Sequence, residues 1–536
     1  MQKYFLVLII AVVSNFAAGQ NLSEYTIKVE PVSLAEFAGV QSFSWAKSGN
    51  EVLIIGGRLD GLHRRQPFAS FDSAGHNNQL IVLNMKTLQV WKRSVFEFEE
   101  AVASQLKATN HCFHQQSDTM VIIGGYGIDE NTKDHVTFDH ILRFSVSEMI
   151  QYVKAKGTEG VQPEIFRSSD PQYAVTGGQL NYINGSYYLV GGHEFQGRYN
   201  PNDMPTFKQT YKEEMLRIQW KSTNELGIEE GHFIRSIPVK DSLLHKRDFN
   251  LVKIQHVPDT NYLVALSGVF REDADLPFQN AVQITPELEL RNYPNFRQYY
   301  NQYECADFSV YEPLSKTTSV YLLGGISNFY DSLGIIAQNN DVPFVPTISR
   351  LLFSPDGKVQ EYLIPTKLPL LMGAGAAFVP NDDPNWQNGF YNWLGSDAEE
   401  IELGLMIGGI VADRPSTLYF SEGEWSRAQS GFYRVYLQHT SDYQKVNSYN
   451  ANPLQARFEK GKKGRFELML DVPKDLQMTV KIWDKKNELV IEQLIELKKG
   501  KITLKKTLPK YIGEYYVLLE FKNEPRLKWE QYLVID

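Results

Sequence analysis

Six apolar segments of this chain end in a pair of small residues. They are Leu53-Ile54-Ile55-Gly56-Gly57, Val121-Ile122-Ile123-Gly124-Gly125, Tyr188-Leu189-Val190-Gly191-Gly192, Val264-Ala265-Leu266-Ser267-Gly268, Tyr321-Leu322-Leu323-Gly324-Gly325 and Leu405-Met406-Ile407-Gly408-Gly409. They recur roughly every 60 to 85 residues, which reads as one sheet unit used six times rather than six unrelated strands. Glycine weakens a strand interior, so a pair is kept where another backbone comes close or where φ turns positive. In a ring of sheets that place is the inner end of each unit. The pattern predicts an all-β, six-bladed β-propeller, with the glycine pairs in structural roles.

The first unit carries the fullest pattern: Gly56-Gly57, then Leu80-Ile81-Val82-Leu83, a turn from Asn84 to Thr87, and Trp91. The third has Tyr211 and Trp220 in comparable places, and the fourth has Ser267 where the others have glycine. On these residues the chain resembles kelch-repeat proteins, whose blades run from an apolar strand and a diglycine through a loop to an aromatic-rich third strand and a tryptophan-bearing fourth. The resemblance implies a kelch-type propeller.

The chain has 536 residues and a net charge of −9, a length that suits six blades and a small further module. A mildly acidic chain with no basic stripe offers nucleic acid no electrostatic footprint. At the N-terminus, Lys3, the apolar run Phe5 to Val13 and Ala17-Ala18-Gly19 read as a signal peptide over residues 1–19. The apolar run is too short to span a bilayer. The expectation is an exported protein, secreted or at the cell surface, without a transmembrane segment. Cys112 and Cys305 fall in inner strands of blades two and five, on opposite sides of the ring, too far apart for a disulfide. They are read as two free buried thiols.

The ring is assigned residues 20–446, a polar linker 447–460, and a C-terminal module 461–536. That module is lysine-rich and alternates like strands at Arg465 to Leu470, Met478 to Trp483, Ile502 to Lys505, Tyr515 to Phe521 and Tyr532 to Ile535, which reads as a small β-sandwich. Through Asn452-Pro453, Val480-Lys481-Ile482-Trp483-Asp484 and Gly513-Glu514-Tyr515-Tyr516-Val517, it resembles the C-terminal sorting domain of type IX secretion cargo in Bacteroidota. That implies the secretion machinery as a partner; a fibronectin-like spacer is the other reading. Tyr25-Thr26-Ile27-Lys28-Val29 alternates like a strand, and the sixth blade lacks a clear fourth one. The N-terminal strand is therefore expected to complete the last blade, removing open edges.

In a four-stranded meander, the loop between the second and third strands shares a face with the start of the next inner strand. Those loops are long here, at Arg58 to Gln79, His193 to Lys212, Ile326 to Thr347 and Ile410 to Ser430. Long loops on a rigid scaffold are where binding and catalysis concentrate. The third blade's loop offers His193, Arg198 and Tyr199. The inner-strand beginnings offer His111, Arg247, Asp248 and Glu304, brought towards one axis by topology. Arg143, Arg217, Arg350 and Arg434 recur in four third strands and are assigned to the blades. Glu272-Asp273-Ala274-Asp275 and Asn381-Asp382-Asp383 could hold a structural calcium, but neither reproduces a spaced calcium loop, so both read as solvated turns. No cofactor motif stands out.

Two functional readings follow. The first is a non-catalytic propeller that binds a glycan or an extracellular protein through its rim, with tyrosine and phenylalanine for stacking. The second is a lyase of uronic-acid polysaccharides, with His111 or His193 and Tyr199 as acid and base, and Arg198 or Arg247 against the substrate carboxylate. The lyase calls for a deep pocket with perturbed titrating groups, and the binding module for an aromatic groove.

Overall fold

The computed structural model describes residues 22–440 and 455–535, apart from the internal segments 34–36, 65–69, 156, 158–159, 200–206, 224–228, 258–259, 333–334, 419–424, 461–464, 473, 487, 509–512 and 523–527. The proposed signal peptide and Asn452-Pro453 lie outside the described residues. Among the described residues the protein is all-β, with two short α-helices.

Among the described residues, six antiparallel four-stranded units follow one another, the third and fifth with added strands. They start at Ser44–Ser48, Cys112–Gln116, Gln179–Ile183, Asn250–Val257, Ala306–Glu312 and Ala376–Pro380. The second strand of each is an almost continuous apolar run, as in Val52-Leu53-Ile54-Ile55, buried throughout. A strand packed on both faces reads that way because neither side meets water. Each sheet shares an apolar core with the next. Leu53 and Ile55 pack with Met120 and Ile122, and Val121 and Ile123 pack with Tyr187 and Leu189 of the third sheet. Similar cores join the third to the fourth, the fourth to the fifth and the fifth to the sixth sheet, and Leu405, Ile407 and Phe432 return to Val52 and Ile54 of the first.

The small-residue pairs tie this order together. Both members of every pair have positive φ, the glycines from Gly191 at 58° to Gly325 at 95°, with Ser267 at 52°. The second glycine donates its N–H to the strand approaching the next sheet's start: Gly57 to Ala108 O at 2.9 Å, Gly125 to Val175 O at 2.9 Å, Gly192 to Lys246 O at 2.7 Å and Gly325 to Met372 O at 2.8 Å. Gly409 donates back to Val40 O at 2.9 Å. At the fourth pair Ser267 uses its side chain, donating from Oγ to Asn301 O at 2.7 Å. The close approach is real: a Cβ on Gly124 would lie 1.9 Å from Val175 O.

The sixth sheet takes its fourth strand from the N-terminus, as the sequence suggests. Tyr25–Val32 pairs with Phe432–His439, from Tyr25↔His439 to Val32↔Phe432. Arg143, Arg217, Arg350 and Arg434 all lie in third strands; Arg350 Nε donates to Ser319 Oγ at 3.0 Å and Arg434 pairs with Glu402 at 2.7 Å. Trp220 sits in the third strand of its sheet, not the fourth, with Arg143 over its ring at 4.2 Å. Gly373 and Gly375 precede the inner strand Ala376–Pro380 rather than lying in it. Cys112 and Cys305 are both buried and unbridged.

Beyond these six sheets, two groups of strands, antiparallel but for one parallel pairing, enclose one core containing Phe466, Leu468, Met478, Val480, Val517 and Leu519. Strand Gln455–Lys460 falls within the span read as a linker and belongs to this assembly, as does Leu489–Leu497, which the sequence reading missed.

Candidate functional site

Where the long loops meet the inner-strand beginnings there is a cavity of about 680 Å³. Arg247, Asp248 and Glu304 lie on its floor with Tyr303, Ser42 and Asn110, and His193 and Tyr199 are on its wall. Most of the predicted set is therefore brought together. Asn110, Asp248 and Glu304 each lie two residues before an inner strand, with φ near +50°, a backbone turn that Asn and Asp tolerate better than most residues.

His111 is a correction. Its ring lies behind the floor, with Nδ1 3.0 Å from Ser44 Oγ and Nε2 2.7 Å from Gln105 O. Burial holds it neutral, with its pKa lowered to about 4. A histidine with both nitrogens engaged inside the scaffold supports the strands and cannot reach a ligand. Arg198 is a second correction: it is not on the cavity wall, and its Nε donates to Ser70 O at 2.5 Å, tying the third sheet's loop to the first's.

The floor is an arrangement of opposed charges. Arg247 Nη1 lies 2.6 Å from Asp248 Oδ2, its Nε donates to Tyr211 Oη at 3.3 Å, and its guanidinium lies 5.1 Å from the centre of the Phe270 ring. Ser42 Oγ donates to Glu304 Oε1 at 2.7 Å. Burial pushes the Glu304 carboxyl up to about 8, and the nearby Asp248 charge adds to the rise. Burial raises Asp248 too, but it has the Arg247 guanidinium against it. At neutral pH the floor thus combines a compensated ion pair with a carboxylic acid that keeps its proton and can donate it in a hydrogen bond.

His193 is buried and held far below the usual histidine range by desolvation and by the Arg247 charge. Gln209 Nε2 donates to its Nδ1 at 2.6 Å. An amide N–H can only donate, so the neutral ring carries its proton on Nε2 and serves as a donor. Burial also drives Tyr303 well above the ordinary tyrosine range.

The wall contains a feature that sequence reasoning found only at Tyr199. Five rings pack edge to face or stacked in a closed circuit: His63 on Phe71 at 4.7 Å, Phe71 on Tyr126 at 5.0 Å, Tyr126 on Phe195 at 5.3 Å, Phe195 towards Tyr199 at 6.4 Å, and Tyr199 back to His63 at 4.8 Å. They come from three different sheets, and no local pattern links them. Arg58 also lines the cavity, 5.3 Å from the Phe71 ring and paired with Asp60. Facing the rings are Phe270, Ile326, Ile410, Leu418 and the strap Asn340-Asp341-Val342.

The hairpin around Trp386–Gln387 and Phe390–Asn392 pairs in parallel with the inner strand of the fifth sheet, Ser309↔Phe390 to Tyr311↔Asn392. Lys253 Nζ of the fourth sheet donates to Asn388 O at 3.0 Å.

Of the acidic clusters, Asp273 pairs with Arg271 and Asp382 with Lys47; Asp275 lines the cavity. Among the described residues, Glu213, His245 and Glu272 have ligand atoms within 4.8 Å of one another. Both carboxylates face the same nitrogen, His245 Nδ1, at 2.6 and 3.9 Å, the nearer within hydrogen-bond reach.

No protein-family model matches the chain, and no curated protein matches it. Among solved structures, one described as "Structure of YjhT" is 11% identical and covers 74% of this chain and 100% of its own, with a TM-score of 0.40. A likeness of that order carries no argument about fold or function. Among the described residues no helix is long and apolar enough to cross a membrane.

Proposed function

We propose that this chain is an exported, kelch-like six-bladed propeller that binds a small glycan in its central cavity. The cyclic order of the shared cores and of the glycine hydrogen bonds, returning from Gly409 to Val40, supports the propeller reading. The two-layered strand assembly at the C-terminus supports a β-sandwich, and the sequence resemblance carries its sorting role.

The observation that carries the binding function is the five-ring aromatic wall standing over a floor of hydrogen-bonding groups. Sugar rings present apolar C–H faces to aromatic rings and hydroxyls to polar groups. A cavity of about 680 Å³ is in the range of small-molecule sites. The hairpin of Trp386–Gln387 and Phe390–Asn392, paired along the inner strand of the fifth sheet, favours a short glycan, or the end of a longer one, over a chain threaded through the axis.

The lyase reading has the depth of the cavity and its perturbed groups in its favour. It is the second choice because its named bases are badly placed: His111 is behind the floor, His193 is a donor, and Tyr199 packs its ring into the aromatic wall, 4.8 Å from His63. Arg247 is already matched by Asp248 and is a poor clamp for a second carboxylate. The test is a panel of neutral and acidic mono-, di- and polysaccharides, following heat of binding, chain length and the ultraviolet absorbance of unsaturated products. Binding of a short glycan without shortening or new absorbance is expected. Depolymerisation with new absorbance would establish the lyase instead.

A further inference from the structure

The loop between the second and third strands of the fifth sheet leaves the ring as a hairpin, Phe329–Ser332 with Ile335–Gln338. Its returning strand pairs in parallel with Gln455–Lys460, in the register Ile336↔Gln455, Ala337↔Ala456 and Gln338↔Arg457. The five-stranded sheet of the C-terminal module is thus built from two strands of the ring and three of the C-terminal segment. Ala337 is fully buried in the same core as Phe466, Leu468 and Met478, and Tyr330 packs at its margin. Lys528–Ile535, from the module's other layer, lies against both hairpin strands.

The hairpin is also fixed at its base. Lys367 Nζ meets Asp331 Oδ2 at 2.9 Å, Asn339 N–H donates to Asn328 O at 2.8 Å, and Ser327 Oγ donates to Asn301 Oδ1 at 2.7 Å. A strand added to a sheet edge gains main-chain hydrogen bonds along its length, and side chains that enter the core add apolar burial. Without the hairpin, Gln455–Lys460 would be a bare sheet edge.

We propose that the hairpin 329–338 is a docking element that holds the C-terminal module on the ring without the covalent connection. Cutting the chain between residues 440 and 455 leaves the module seated; its release requires the hairpin to be unpaired as well. This conclusion concerns attachment and does not depend on what the cavity binds.

The experiment places a specific protease site within 441–454 of the full chain and follows the cut protein by size-exclusion chromatography at micromolar concentration. Co-elution of both fragments at the volume of the uncut chain is expected. Separation on cutting would overturn the proposal. The same cut in Ala337→Asp, which puts a charge into the shared core, is expected to release the module. Continued co-elution of that variant would show that the hairpin is not what holds it, and would equally overturn the proposal.

Discussion

The amide of Gly409 donates to the carbonyl of Val40 across 2.9 Å, joining the last of six sheets to the approach to the first. The equivalent bonds at Gly57, Gly125, Gly192 and Gly325 give the first, second, third and fifth sheets the same relation to their successors, and Ser267 Oγ to Asn301 O takes that place at the fourth. Five inner-strand approaches, at Ser42, Asn110, Thr176, Asp248 and Glu304, then meet at one cavity although they lie far apart in sequence.

A methyl group at one of these crossings should therefore cost more than backbone strain alone. Gly124 and Gly49 both have positive φ, at 64° and 56°, but a Cβ on Gly124 meets Val175 O at 1.9 Å while one on Gly49 meets nothing within 4 Å. Gly49→Ala is expected to lose about 1 kcal/mol, the cost of the left-handed backbone. Gly124→Ala should lose about 3 kcal/mol or more, because the neighbouring strand must move. Urea unfolding of the two variants makes the comparison, and equal losses would count against the close crossing.

The Arg247–Asp248 pair should be worth much more intact than halved. Arg247→Met leaves a buried carboxylate without its partner, with an expected loss of about 3–5 kcal/mol. Adding Asp248→Asn, whose side chain also tolerates the 53° φ at that position, should restore at least ~1 kcal/mol of it. A double-mutant cycle by denaturant unfolding measures the coupling.

Glu304 should make stability fall with rising pH. Its folded-state pKa is raised from 4.5 to about 8, so between those values the unfolded chain has released a proton that the folded chain still holds. The contribution is fully present below about pH 4.5 and is lost as pH rises to about 8. Glu304→Gln removes this dependence. The stability of the variant relative to the original chain should rise by up to about 1.4 kcal/mol per pH unit across that window, as read from urea midpoints at pH 5, 6.5 and 8.

His111 and Tyr199 should separate support from binding. His111→Gln disturbs two buried hydrogen bonds behind the floor and is expected to cost about 1–3 kcal/mol of stability, leaving affinity for a cavity ligand within about threefold. Tyr199→Ala should do the reverse, because its ring lies on the cavity wall. Unfolding and binding measured on both variants would show the crossing pattern.

Much of this arrangement could be read from the sequence, because its signals are local and repeated. The glycine pairs mark the crossings, and the alternation of Tyr25 to Val29 marks the strand that completes the sixth sheet. Arg247, Asp248 and Glu304 were found because topology alone places them near the axis. His111 has the same topological position, but its ring turns into the scaffold, a choice made by Ser44 and Gln105 at a distance. The aromatic circuit was illegible for the same reason: His63, Phe71, Tyr126 and Phe195 meet only after three sheets are assembled. The helix Val146–Lys154 did have a signal, with Ser145 Oγ accepting from Glu148 N–H at 3.2 Å and Met149, Ile150 and Val153 on one face. The hairpin 329–338 had none, since its partner strand lies more than a hundred residues further on.

The most direct test of the central claim is calorimetric titration of short neutral and acidic glycans into the original chain, Tyr199→Ala and Phe270→Ala. The account predicts that at least one glycan binds the original chain, and that either substitution weakens it tenfold or more while the glycan is recovered unshortened. Binding that survives both substitutions, or no binding by any member of the panel, would contradict it.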